Sequence, residues 1–551
     1  MAFDLARFRD LAFGRRGRPD HPIADEAEAR KVIDELPVDE PAKALAELTH
    51  WARSINEEQT FTPELRARVL MEIDAAAYPF WRELWIEFLA PKGMPSEGQD
   101  GDTGILHALR ECAEECANGY ALCLTPEGLR SGWIGNNLAM MALRWMYWHS
   151  RKMQFSRTLR LQGSDQRWEE LHRIYRFAEE QAVFRIVNRV FPDSMHPSSV
   201  KQEYVRQLLC DIARPDRFTG REFELMYRIV GRVAASVKLE REPLEGALHV
   251  VVPEEARRPR RLSKISPQLA QSALYIDSSN AVPRLQSLLE EQADADPGQP
   301  DPLFGEVFTL RERRAMIGKL TDQWTESMPQ RGTQRVKLHS PILLHQGFAD
   351  LARALPALDQ GTEVQRSSEQ DLRILMNAAE RKAAPQATAR VIKGELEDAS
   401  TNGMGLRIDR SEARWAQVGA LVAVCLLPSN DWAVGTVRRA NDEADRLHLG
   451  VAVLSRKPRL MWMHLDTTGQ STLWEEAQRF ERNFLEHFQR GILIEVDGPS
   501  LKNGELLLPG GMARPGTRFD VPVQKFMLRL VITEISDENR DFQRVVFERK
   551  L

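Results

Sequence analysis

The stretch GELEDASTNGMGLRI, residues 394–408, decides how this chain is read. Asp398 and Ser400 bracket one residue, and Gly403 follows three positions later. Aspartate accepts hydrogen bonds, serine donates or accepts, and glycine permits a positive φ or a close backbone approach. Asp and Ser also cap the amides of their own turn. On its own a D-x-S-x-x-G run is what many polar turns contain, so its neighbours carry the argument.

Upstream lies SMPQRGTQRVKLHSPILLHQG, residues 327–347, where Arg331 and Arg335 stand four apart. They fall between a helix-like run, RERRAMIGKLTDQWTE, and an apolar strand-like stretch. Downstream come GALVAVCLLP, DWAVGTVRRA and LHLGVAVLS, short runs separated by Gly, Asp, Asn and Pro. That texture predicts an antiparallel barrel or sandwich. The segment between Arg335 and Asp398 is longer than a strand and turn require, and the excess is assigned to a polar insertion near 352–387. A helical stretch, TLWEEAQRFERNFLEHFQ, follows the barrel. ILIEVDG, GELLLPG, RFDVPVQ, FMLRLVITEI and FQRVVFERK then make a second β-rich unit. Between two of these runs, LPGGMARPG (508–516) reads as a hairpin loop rather than a phosphate cradle.

From about 25 to 295 the pattern is mainly helical, with apolar residues at three- and four-residue steps in EPAKALAELTHWARSI and TPELRARVLMEIDAAAYPFWRELWIEFL. Asp39 and Thr62 are expected helix caps, and Pro63 a first helical position. Trp133, Trp145, Tyr147 and Trp148 are expected to fill the helical core rather than form a ligand cage. EGALHVVVPEE has strand character, and the basic Arg257–Arg261 segment reads as a solvated loop. The expected fold class is therefore multidomain α plus β: a large α-helical region over 1–300, an antiparallel β-barrel over 301–458, and a helix plus a second β-rich unit over 459–551.

The bulk numbers exclude several classes. A net charge of −5 is not that of a protein that coats nucleic acid. No apolar run reaches the length of a membrane span. Five cysteines at loose spacing and no leader-like N-terminus give the expectation of a cytoplasmic, reducing environment without disulfides. Cys112 and Cys116 share a helix face without the further ligands a metal needs, so no metal and no cofactor are expected. There is no G-x-S-x-G elbow, P-loop or G-x-G-x-x-G, and the chain is not expected to be an enzyme.

The ordered series R-x-x-x-R, D-x-S-x-x-G and three later strands resembles the PilZ domain, a small β-barrel that binds cyclic di-GMP. Arg331, Arg335, Asp398, Ser400 and Gly403 carry the resemblance, supported by Gly419, Trp432, Gly435 and Gly450-Val451. The resemblance implies that Arg331 and Arg335 close over the ligand. It further implies that Asp398 and Ser400 hydrogen-bond a guanine edge and that Gly403 lets the turn pass close to the ligand. A guanidinium fork matches guanine O6 and N7 in a way lysine does not. Gln330 stands where many family members have another arginine, which bears on ligand stoichiometry. Arg381, Lys382 and Arg390 are rival cations, with Arg381 and Arg390 the fallback arm. The resemblance implies a cyclic di-GMP receptor acting on a protein partner through the helical region. The alternative is a degenerate PilZ-type adaptor that binds partners without nucleotide.

Overall fold

The computed structural model describes residues 19–89, 101–158, 164–192, 197–291, 307–324, 335–356, 391–413, 415–443, 445–465, 488–496, 502–523, 526–538 and 541–550. The chain divides into two compact units. One gathers the helical part as far as Pro329, and the other is formed mainly by Gln330–Leu551.

The first unit contains α1 (Glu26–Asp34), α2 (Pro41–Glu57), α3 (Pro63–Leu89), α4 (Gly101–Cys123), α5 (Gly132–Thr158), α6 (Ser164–Glu180), α7 (Val200–Ile212) and α8 (Gly220–Val233). Thr62 caps α3 as expected, accepting from the Leu65 amide at 3.3 Å. Asp39 does not cap α2: Glu40 holds that position without a side-chain bond, and Pro41 opens the helix. Trp145, Tyr147 and Trp148 are buried, whereas Trp133 is half-buried with the Arg68 guanidinium 4.8 Å over its ring. At the centre, Asp74 is wholly buried and accepts from Arg144 Nη1 (2.6 Å), Tyr120 Oη (2.8 Å) and Trp148 Nε1 (3.0 Å). Burial pushes its carboxyl pKa up, against the pull of the Arg144 guanidinium. A buried carboxylate satisfied this way pins α3, α4 and α5 together, and losing one partner would leave a costly unpaired group.

A small sheet follows α8, in the order β1-β4-β2-β3: β1 (Lys238–Glu240), β2 (His249–Val251), β3 (Arg260–Arg261) and β4 (Leu274–Asp277). The helices α9 (Pro267–Ala270), α10 (Ala281–Glu290) and α11 (Leu310–Trp324) complete the unit. The basic 257–261 segment is in part the expected solvated loop, with Arg257 and Arg258 exposed, while Arg260 and Arg261 form β3. Its Arg257 carbonyl lies 2.9 Å from His172 Nε2, while Arg260 is ion-paired with Glu255 at 2.7 Å. Burial holds His172 down at a pKa of about 4.

The second unit holds two closed six-stranded antiparallel barrels. The first comprises β5 (Val336–Gln346), β6 (Ile392–Ser400), β7 (Gly403–Asp409), β8 (Leu421–Leu426), β9 (Asp431–Glu443) and β10 (Arg446–Ser455). The second comprises β11 (Arg459–Leu465), β12 (Phe488–Val496), β13 (Asn503–Pro509), β14 (Arg518–Val523), β15 (Phe526–Glu538) and β16 (Phe542–Lys550). Numbered 1 to 6 in chain order, the strands of both barrels follow one closed circuit, 6-3-2-1-4-5. The sequence reading missed β11, the strand that closes the second barrel. Most of the expected 472–489 helix lies outside the described residues, and its last two residues open β12. Against the expected hairpin, the 508–516 segment joins β13 to β14, which are not neighbours, and is a crossover loop.

The first barrel is filled by alternate residues, among them Ile342, Leu344, Ile392, Leu396, Leu406 and Leu449. The run LVAVCL of β8 does not alternate, because both of its faces are covered. Val422 and Val424 fill the barrel, while Leu421 and Ala423 join a second cluster. That cluster combines Phe348 and Leu351 of α12 (Gly347–Ala354) with Ile492, Leu507 and Phe542 of the second barrel. Asp541 clasps the join, its two carboxylate oxygens each 3.0 Å from the Phe348 amide at the start of α12. Gly347 precedes that amide at φ +73°, a conformation that suits glycine. The segment that follows β5 is therefore a short helix. The rest of the expected 352–387 insertion, from 357 on, lies outside the described residues.

Candidate ligand-binding site

Asp398 and Ser400 reach the outside of the first barrel through an irregularity in β6. Ile392, Gly394 and Leu396 face inward, and strict alternation would send Asp398 and Ser400 inward too. The pairing shifts between Leu396↔Leu406 and Asp398↔Gly405, leaving Glu397 as an extra residue. Such a bulge inverts the faces beyond it. Ala399 then packs against the barrel core, and Asp398 and Ser400 turn outward.

The outward carboxylate meets the expected arm. Arg335 Nη1 lies 2.5 Å from Asp398 Oδ1, although the two residues are 63 positions apart. Both side chains are about a third exposed, at 29% and 31%. Such a pair is worth about 1 kcal/mol or less to folding, so it is weakly held and open to exchange. Arg331 lies outside the described residues, as do Gln330, Arg381, Lys382 and Arg390.

Thr401 and Asn402 form the two-residue connection, with Ser400 opposite Gly403. Ser400 Oγ is 3.4 Å from the Gly403 carbonyl across its own turn. Gly403 does not adopt a positive φ; its contribution is space, since a Cβ there would sit 3.4 Å from both Arg335 Nη2 and the Val451 carbonyl. The tighter glycine is Gly405, which the sequence reading passed over. A Cβ at that position would fall 2.5 Å from Asp398 Oδ1. The repeated glycine in GMGL was its only signal.

Two further contacts fix the turn. Arg456 Nη2 donates to the Ser400 and Thr401 carbonyls at 2.5 and 3.3 Å, and the Val453 amide donates to the Asn402 carbonyl at 3.1 Å. Arg456 was not singled out from sequence, because it becomes relevant only when the end of β10 runs beside the start of β7. Behind the turn, Glu395 is ion-paired with Arg407 and lies 2.8 Å from His339 Nδ1. Arg407, and to a lesser degree His339, hold its carboxyl below the usual range. His448 Nδ1 lies 2.9 Å from Glu397 Oε2.

This arrangement offers a carboxylate acceptor, a hydroxyl and a guanidinium fork over an outer face stripped of side chains at Gly403 and Gly405. It suits a flat polar ligand with donor and acceptor edges. Among the described residues no group of three or more His, Cys, Asp or Glu side chains is placed to hold a metal, and no helix is long and apolar enough to cross a membrane. No curated protein matches the chain. Residues 27–243, within the helical part, match the family model described as the N-terminal domain of the cyclic-di-GMP receptor FimW.

Proposed function

We propose that the protein is a cyclic di-GMP receptor whose first barrel acts as a PilZ domain. The dinucleotide is held between the Arg331–Arg335 arm and the Asp398, Ser400 and Gly403 turn. One observation carries the reading: Arg335 and Asp398, remote in sequence, meet at 2.5 Å on the outside of the barrel. The match of residues 27–243 to a cyclic-di-GMP receptor family model supports the ligand class from a separate part of the chain.

Binding exchanges one partner for another. Asp398 accepts from the N–H groups of a guanine edge, and Arg335 turns its fork onto O6 and N7 of a base. Each desolvated charged hydrogen bond gained contributes about 1.5–3 kcal/mol, which exceeds the exposed ion pair given up. Gly405 leaves the room in which the Asp398 carboxylate can pivot. The bound state is then relayed to a protein partner of the helical part. No step of bond making or breaking is involved.

Calorimetry on the full chain with cyclic di-GMP, GTP and cyclic di-AMP tests the binding. Saturable heat with the first alone is expected, and it should disappear in Arg335→Ala. An absence of heat at micromolar ligand leaves a barrel-bearing adaptor. The relay is tested by hydrogen exchange over residues 27–243 with and without ligand, and unchanged protection there defeats it.

A further inference from the structure

We propose that Arg439 is a further ligand-binding residue, lying beyond two glycines on the same outer face and placing its guanidinium on a phosphate of the bound dinucleotide. The proposal rests on the cyclic-dinucleotide reading above and adds a residue that neither motif contains.

The argument starts from one row across the barrel. Asp398 of β6 is opposite Gly405 of β7, Gly405 is opposite Gly450 of β10, and Gly450 is opposite Arg439 of β9. With strands about 4.8 Å apart, the row from Asp398 to Arg439 measures about 14 Å along the curved barrel wall. The two positions between them carry no side chain.

Both flanking side chains lean over this bare floor from opposite ends. A Cβ on Gly405 would meet the Asp398 carboxylate. A Cβ on Gly450 would meet Arg439 instead, 3.4 Å from its Cβ and 3.6 Å from its Nε. Residues 404, 406, 449 and 451 on either side of the glycines point into the barrel core, so the floor lies on the outer face.

Arg439 is half-buried and makes no hydrogen bond or ion pair among the described residues. A guanidinium has five donors and no acceptor, and it binds phosphate oxygens in a bidentate fork. A purine lying flat on the glycines, with its edge toward Asp398, brings its sugar–phosphate toward the opposite wall. Arg335 answers Asp398 at one end, and Arg439 supplies the missing cation at the other.

The test is calorimetry of cyclic di-GMP with the full chain at several salt concentrations, using Arg439→Gln, Arg439→Lys and Gly450→Val, with thermal unfolding as the fold control. Arg439→Gln is expected to weaken binding about tenfold and to flatten its salt dependence, because one charge contact to phosphate is gone. Arg439→Lys should keep the salt dependence and part of the affinity. Gly450→Val fills the floor without changing charge, and it should weaken binding at least as much. If the parent protein binds and Arg439→Gln matches it, or loses affinity with an unchanged salt dependence, the Arg439 assignment is overturned alone. Unchanged binding by folded Gly450→Val also overturns it. If the parent protein gives no heat, the receptor reading falls and takes this assignment with it.

Discussion

In the first barrel Asp398 stands opposite Gly405, and Gly405 opposite Gly450. In the second barrel the corresponding row sets Glu495 opposite Glu505, and Glu505 opposite Val546. The correspondence is close, because both barrels follow one strand circuit and both carry an irregularity in their second strand, between Leu396 and Asp398 and between Leu493 and Glu495. Yet the second barrel fills what the first leaves open. Glu505 is tied by two contacts, 2.7 and 2.5 Å, to Arg544. One backbone plan therefore serves two ends: a bare, charge-flanked outer face in one copy, and a side-chain-filled, internally paired face in the other. The difference lies in side chains on a shared scaffold.

The comparison is broken most directly by moving the second barrel's residue into the first. Gly405→Glu places a carboxylate against Asp398 and fills the floor. Cyclic di-GMP binding should fall at least about a hundredfold by calorimetry, since like charges and lost space act together. Retained affinity would mean that the two rows do not differ in the way proposed. Asp398→Ala comes next. It should cost about 1.5–3 kcal/mol of binding and shift stability by no more than about 1 kcal/mol, because the Arg335 pair is exposed. A large drop in melting temperature with intact affinity would reverse those roles.

The join between the barrels gives a smaller effect and a pH signature. Burial raises the Asp541 pKa against the opposing pull of the Phe348 amide. A carboxyl whose folded pKa lies above its unfolded value supports folding fully below the unfolded value. That support is lost as pH rises through the folded one. Asp541→Asn should remove this slope and keep an acceptor for the Phe348 amide. Asp541→Ala should cost about 1 kcal/mol in denaturant unfolding at neutral pH, the usual cost of an uncapped helix start. Equal stability profiles for the two variants would show that the clasp contributes nothing. The smallest change is expected from Gly403→Ala, whose added methyl meets its neighbours at 3.4 Å. A loss of only a few-fold in affinity follows, well short of Gly405→Glu.

Much of this was legible in the chain. Helical spacing marked α2 and α3, and short strands punctuated by Gly and Pro marked the barrels. Arg331, Arg335, Asp398, Ser400 and Gly403 were named through their resemblance to a family's motifs, and of these the structure brings Arg335 beside Asp398. Other features were not legible, for identifiable reasons. β11 begins with RLMW, whose apolar run has no alternation to mark it as a strand. LPGGMARPG reads like a hairpin until its flanking strands are found apart. Nothing in the local sequence singles out Gly405 or Arg456. Neither acquires a neighbour until β6, β7 and β10 are laid side by side.

The sequence by itself determined the order of helical and β-rich parts and the chemical types of the side chains at the proposed site. Both are local properties of period and side-chain chemistry. Only the tertiary structure decided which way those groups face. A single extra residue at Glu397 turns Asp398 from the barrel interior to its surface, and strand registry sets it beside two glycines with Arg439 beyond. Registry is a relation between distant segments, fixed by what each strand buries, and it cannot be read from any one of them.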